Sequence, residues 1–94
     1  MRDEVQDRFG NTIYLTDERW NHIVKAHRQL NGHRAEVLST IRSGKRRQDP
    51  AILDKFYYTK SVRFLGRFSA IEVVVVFRRQ KDQPNNFVVT AYPK

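Results

Sequence analysis

Two of the chain's three histidines, His22 and His27, and its only tryptophan, Trp20, fall within the short stretch Leu15–His27. An imidazole exchanges protons near neutral pH, and an arginine fork matches phosphate oxygens in pairs. The surroundings favour anions: 18 Lys and Arg stand against 10 Asp and Glu, a formal net charge of +8. Together these residue types are competent for RNA cleavage without a metal. That reaction needs a base for the 2′-hydroxyl proton, an acid for the departing 5′-oxygen and cations for the charge growing on phosphorus. A metal-centred alternative finds no ligands. Cysteine is absent, and His22 and His27, five residues apart, are rotated by roughly 140° on a helix and cannot chelate one ion as an i, i+4 pair does. Neither a metal nor a cofactor is expected.

The elements that position these groups follow from hydrophobic period and turn chemistry. Strands over Val5–Phe9 and Thr12–Leu15 flank Gly10-Asn11, a turn pair that tolerates positive φ. Thr16 is placed to cap a helix over Asp17–Gln29, with Asp17 and Glu18 in its first turn and Arg19 where a full capping box carries Glu or Gln. Trp20, Ile23, Val24 and Leu30 form its apolar face, and Asn31-Gly32 stops it. A second helix over Arg34–Arg42 is expected to bury Ala35, Leu38 and Ile41 with Val37 alongside, ending at Ser43-Gly44. After a basic loop, Lys45-Arg46-Arg47, and the breaker Asp49-Pro50, the period falls to two. Strands are expected at Phe56–Thr59, within Ser69–Arg79 and at Asn86–Tyr92, with Arg79–Asn85 as a hairpin loop. The architecture expected is α+β: an opening hairpin, two helices, and a roughly four-stranded antiparallel meander with the helices on one face.

On this frame His27 lies within roughly 20° of Trp20, at the seam between helix and sheet, whereas His22 lies roughly 160° away and faces solvent. His33 sits beside the interhelical turn. A seam histidine is either a half-buried core residue or a catalyst. Alternation puts Phe87, Val89 and Ala91 on one side of the last strand and Val88, Thr90 and Tyr92 on the other; Tyr57 and Tyr58 point oppositely. Tyrosines at such positions serve packing or proton transfer.

Composition narrows the setting. Ninety-four residues make one domain. No apolar run nears the ~18 residues of a spanning helix, the longest being Val73–Phe77, and Met1-Arg2-Asp3-Glu4 lacks a secretory apolar segment, so a cytoplasmic protein without a membrane partner is expected. A polyanion is the expected partner, RNA or the ribosome before duplex DNA, because neither helix reads as a recognition helix.

The pattern Asp7-x-x-Gly10-x-x-Ile13-x-Leu15-Thr16-x-x-Arg19-Trp20-x-His22-Ile23-x-x-x-His27, followed by Tyr57-Tyr58, an apolar strand and the terminal Val88-Val89-Thr90-Ala91-Tyr92, resembles the barnase–EndoU–colicin–RelE-like group of nuclease domains, and within it the small phage- and toxin-associated branch. The resemblance covers nearly the whole chain, with the two ends more specific than the middle. It implies a metal-independent endoribonuclease, often a toxin held by an antitoxin or immunity protein, with helices laid on an antiparallel sheet. It points to His22, His27, Thr90 and Tyr92 as site residues. Tyr58, Lys60 and Arg67 join them from sheet position and affinity for phosphate. The chain departs from the group after His27, where Arg28-Gln29 replaces Pro-Glu. An inert RNA- or ribosome-binding module on the same scaffold is therefore the competing expectation, with Lys45, Arg46, Arg47, Arg78, Arg79 and Lys81 as its phosphate contacts. A basic face that meets an acidic protein is a third.

Overall fold

Branched and aromatic residues crowd both ends of the chain, and helical spacing occupies the stretch between. A computed structural model describes residues 1–94, the side chain of Phe64 excepted. In chain order the elements are β1 (Arg2–Gln6), β2 (Thr12–Thr16), α1 (Asp17–Ala26), a 3-10 turn (Arg28–Leu30), α2 (Arg34–Ser43), β3 (Lys45–Gln48), β4 (Lys55–Leu65), β5 (Phe68–Gln80) and β6 (Gln83–Pro93). The fold is α+β, but the sheet is larger than the meander expected. Six strands run in the order β1-β2-β6-β5-β4-β3. The opening hairpin joins the sheet through a parallel pairing of β2 with β6 at Ile13↔Asn86 and Tyr14↔Phe87. Both helices lie in the crossover that brings β6 back alongside β2.

The core fills the space between the helices and one sheet face. Ile23 of α1, Leu30, and Val37 and Ile41 of α2 pack with Ile13, Leu15, Ile71, Val73, Val75, Val88 and Ala91. Each fully buried aliphatic side chain contributes about 1.5–3 kcal/mol. Alternation sends Glu72, Val74 and Val76 of β5 to the opposite, helix-free face.

Thr16 caps α1 as expected, its hydroxyl accepting the Arg19 N–H at 3.0 Å. The helix stops sooner than Gln29. His27 leaves helical geometry at φ −134°, and its carbonyl accepts the Leu30 N–H at 3.0 Å, which starts the 3-10 turn that buries Leu30. In α2, Val37, Thr40 and Ile41 are the buried residues; Leu38 is half-buried and Ala35 is exposed, a face rotated from the one expected. Gly44 then joins α2 to β3, where a Cβ would sit 2.3 Å from the Thr40 carbonyl oxygen and 2.8 Å from that of Thr59. Only glycine fits.

Two further departures matter for the site. Lys45-Arg46-Arg47 is not a loop: it is the edge strand β3, antiparallel to β4 through Arg46↔Tyr58 and Arg47↔Tyr57. On β6, Val74 pairs with Thr90 while Val75 pairs with Val88, so Val89 is an extra residue in a bulge. The bulge returns Val88 to the core with Ala91 and leaves Thr90 and Tyr92 together on the helix-free face, parting Val88 from the side expected of it.

Candidate active site on the helix-free sheet face

Glu72 is the one charge within the most apolar segment of β5, Ile71–Val76. It is 2% exposed, and its carboxylate is held from three strands. The Thr59 hydroxyl of β4 donates to Oε2 at 2.8 Å, the Lys94 ammonium beyond β6 donates to Oε2 at 3.0 Å, and the Tyr92 hydroxyl of β6 donates to Oε1. Arg47 of β3 brings its guanidinium to 3.5 Å from Oε1 and lies 4.0 Å from the centre of the Tyr57 ring. These groups come from four strands because Thr59, Glu72 and Tyr92 are cross-strand partners in one row.

Burial alone would raise the Glu72 pKa, but the hydrogen bonds from Tyr92, Thr59 and Lys94 and the Lys94 charge outweigh it, and the group sits below its ordinary value of 4.5. The Tyr92 hydroxyl moves the other way. Burial and the hydrogen bond to ionised Glu72 push it up to about 12. At neutral pH the pair is therefore a carboxylate and a neutral phenol whose proton points at Glu72.

His27 stands at the rim of this cluster. It is the C-cap of α1, half-buried, with its ring centre 6.1 Å from that of Tyr92. The contact is possible because β2 pairs with β6 only at Asn86 and Phe87, leaving the far end of β6 flanked by α1 and the 3-10 turn instead of a strand. Thr90 lies two residues before Tyr92 on the same face, half-buried. A hollow of about 180 Å³ lies at the other end of α1, lined by Tyr14, Thr16, Arg19, Phe87 and Val88. Another, of about 480 Å³, lies at the root of the β5–β6 hairpin and not at His27.

Most of the remaining residues named from the sequence lie away from this cluster. Tyr58 is fully buried on the helix side, donating to Asp7 Oδ2 at 2.5 Å, and burial and that bond raise its pKa beyond the ordinary tyrosine range. A phenol sealed in this way cannot reach a substrate. Lys60 is also on the helix side, its ammonium donating to the hydroxyls of Ser39 at 2.7 Å and Ser43 at 2.8 Å on α2. Arg46 is wedged between Phe9 at 3.9 Å and Phe56 at 4.7 Å, with Asp7 at 3.7 Å. Arg67 sits in the β4–β5 turn, 5.3 Å from the Phe68 ring. His22 is exposed beside Glu18, Asn21 and Lys25 on α1, and His33 bonds Glu36 at 2.9 Å. Lys45 begins β3 as the cross-strand partner of Thr59, in the same row as Glu72 and Tyr92, and Arg78 lies 3.5 Å from Asp54.

The residues that sequence reasoning missed are Glu72, Thr59 and Lys94. Glu72 carried a signal: a lone carboxylate inside a valine-rich central strand has to find donors or lose its charge. Among the described residues no three His, Cys, Asp or Glu side chains converge as a metal-ligand set. Comparison of the chain with protein-family models, curated proteins and solved structures yields no match.

Proposed function

We propose that the protein is a metal-independent endoribonuclease of the barnase–EndoU–colicin–RelE-like kind, working on the helix-free face around Glu72, Tyr92 and His27. The observation that supports this reading is the meeting of a seam histidine, a carboxylate-bound phenol and two cations, Arg47 and Lys94, at one end of that face. The finer architecture it implies is that β3–β6 form the four-stranded antiparallel unit carrying the site.

Each group has a step. The 2′-hydroxyl passes its proton to the Tyr92 oxygen while Tyr92 passes its own to Glu72, and the 2′-oxygen attacks phosphorus. The bond to the 5′-oxygen breaks as His27, acting as the general acid, donates a proton to that oxygen, leaving a 2′,3′-cyclic phosphate and a 5′-hydroxyl. Arg47 and Lys94 meet the phosphate. An incoming phosphate draws Lys94 from Glu72, removing one of the influences that lower its pKa, so the carboxylate becomes more basic when substrate is present.

Cleavage of single-stranded RNA by purified protein in excess EDTA, with cyclic phosphate ends, tests this reading. His27→Ala should lower the rate by roughly 10²-fold or more while the folded circular dichroism spectrum is kept. No cleavage of any RNA by folded protein sinks it.

One observation favours the inert-binder reading instead: Glu72 is held by three donors, and both Glu72 and Tyr92 have pKa values moved away from neutrality. In that case RNA affinity survives without cleavage and falls steeply with salt.

A further inference from the structure

The β5–β6 hairpin continues past both of its neighbours. β4 stops pairing with β5 at Lys55↔Val76, and β2 reaches β6 no further toward the hairpin tip than Asn86. Beyond that point Arg78↔Asn85, Arg79↔Pro84 and Gln80↔Gln83 form a two-stranded arm closed by Lys81-Asp82. This is a paired ribbon and not the Arg79–Asn85 loop read from the sequence. Every residue from Arg78 to Pro84 is exposed, and Pro84 is the only one without a polar side chain.

A two-stranded ribbon without an apolar face is marginal in water. Its turn also places two non-glycine residues at positive φ, Lys81 at 52° and Asp82 at 63°, where a tight hairpin favours Asn-Gly. The root, by contrast, is held firmly. Tyr14 donates to the Asn85 amide oxygen at 3.0 Å, and the Asn86 amide donates to the Thr12 carbonyl at 3.1 Å.

We infer that this arm is a nucleic-acid contact that grips the phosphate backbone of an RNA some distance from the Glu72 cluster. The inference rests on the RNA reading above only for the identity of the polymer. Three cations, Arg78, Arg79 and Lys81, stand against one acid, Asp82, on a ribbon with no hydrophobic anchor for a protein partner. Arg79 spends one of its donors on the Asp82 carbonyl at 2.8 Å, and Arg78 lies 3.5 Å from Asp54. Each guanidinium has five N–H groups, so both retain donors for phosphate. No direct cross-strand pair on the arm opposes like charges.

Length gives the arm a measurable signature. Glu72 and Gln80 are eight residues apart on one strand, roughly 26 Å at ~3.3 Å per residue. An RNA must hold about eight stacked nucleotides, at ~3.4 Å each, to touch both. A trinucleotide cannot.

The test measures binding of fluorescent, non-cleavable 2′-O-methyl RNA of 3 and 12 nucleotides to wild type, to Arg78→Gln/Arg79→Gln/Lys81→Gln, and to a charge-matched control, Lys25→Gln/Arg42→Gln/Arg63→Gln, across salt concentrations. For the 12-mer the arm variant should bind roughly tenfold or more weakly at low salt, with the slope of log K against log[salt] reduced by about 2 for three lost contacts. The 3-mer and the control should show neither change. An unaltered slope in the arm variant overturns the inference. So does an equal loss in the control or on the 3-mer, which assigns binding to the overall field of the protein. A change in sedimentation of the arm variant without a change in RNA slope also overturns it, in favour of contact between copies. Because the RNA cannot be cleaved, failure of the nuclease reading leaves this result intact.

Discussion

The protein builds the same trio of carboxylate, tyrosine and arginine twice, once on each face of its sheet. On the helix side Asp7 accepts the Tyr58 hydroxyl, with Arg46 at 3.7 Å; on the helix-free side Glu72 accepts the Tyr92 hydroxyl, with Arg47 at 3.5 Å. The arginines are consecutive on β3, so the two-residue period of a strand sends one to each face. What separates the trios is access. The Asp7 side chain and Tyr58 are both fully buried, and Asp7 also accepts the N–H groups of Phe9 and Asn11 at 2.9 Å, tying the β1–β2 loop down. Around Glu72 the partners open outward, with the Arg47 and Lys94 side chains about half exposed. The first trio is a latch that holds two ends of the sheet together. The second leaves its cations and phenol within reach of a solute.

That contrast can be broken most severely at Asp7. Asp7→Ala leaves the buried Tyr58 hydroxyl, the Arg46 guanidinium and two backbone N–H groups without their acceptor, and should cost about 3 kcal/mol or more. Thermal unfolding should show this as a fall in Tm of roughly 12 °C or more. Glu72→Gln should cost about 1–2 kcal/mol, because water can replace its partners, yet it should remove cleavage. Equal losses of stability at the two positions would erase the distinction between latch and site.

The tyrosines sharpen it. Tyr58→Phe should destabilise by about 1–3 kcal/mol in denaturant titrations without changing RNA affinity, whereas Tyr92→Phe should cost under about 1 kcal/mol and abolish turnover. Hydrogen-bond rescue by water is available only to the second.

Stability against pH reports both trios at once. Asp7 and Glu72 both have folded pKa values below their ordinary 3.8 and 4.5. For Asp7 the cause is the hydrogen bonds from Tyr58, Asn11 and Phe9, which outweigh the raising effect of burial. Their contribution is complete above the ordinary values and is lost as pH falls through the folded ones, so the acid limb of Tm against pH lies below about 4.5. Tyr92, raised to about 12, adds stability that is complete below about pH 10 and is lost as pH climbs toward 12. Tyr92→Phe should flatten part of that alkaline limb and leave the part due to Tyr58. The smallest effect is expected at Lys60. Lys60→Met should alter stability by less than about 1 kcal/mol and RNA affinity not at all, because its ammonium faces α2 and not the Glu72 cluster.

Much of this was readable from local signals. Thr16 as a cap, Gly44 as a stop, the valine-rich central strand and the opposite orientations of Tyr57 and Tyr58 all follow from neighbours within a few residues. Asp7 and Gly10 stood out in the motif, but the structure gives Asp7 a local duty, an Asx turn that accepts two backbone N–H groups of its own loop. The site was read less well. Of the residues that the sequence singles out, His27, Thr90 and Tyr92 lie on or beside the helix-free face, while Tyr58 and Lys60, chosen from sheet position and affinity for phosphate, lie on the other. Glu72 was passed over as one charge in a strand.

The sequence by itself determined most of the elements and their order, the edge strand β3 and the 3-10 turn excepted, because caps, turns and hydrophobic period act over short range. It also determined the excess of positive charge, which no fold can alter. Only the tertiary structure decided which face each group serves. A single bulge at Val89 reset the alternation of β6, the parallel pairing of β2 with β6 left the edge beside Tyr92 open to His27, and the register of β4, β5 and β6 put Thr59, Glu72 and Tyr92 in one row. Register is a long-range property, set by how strands from distant parts of the chain share a core, and one residue of slip moves every following side chain to the other face.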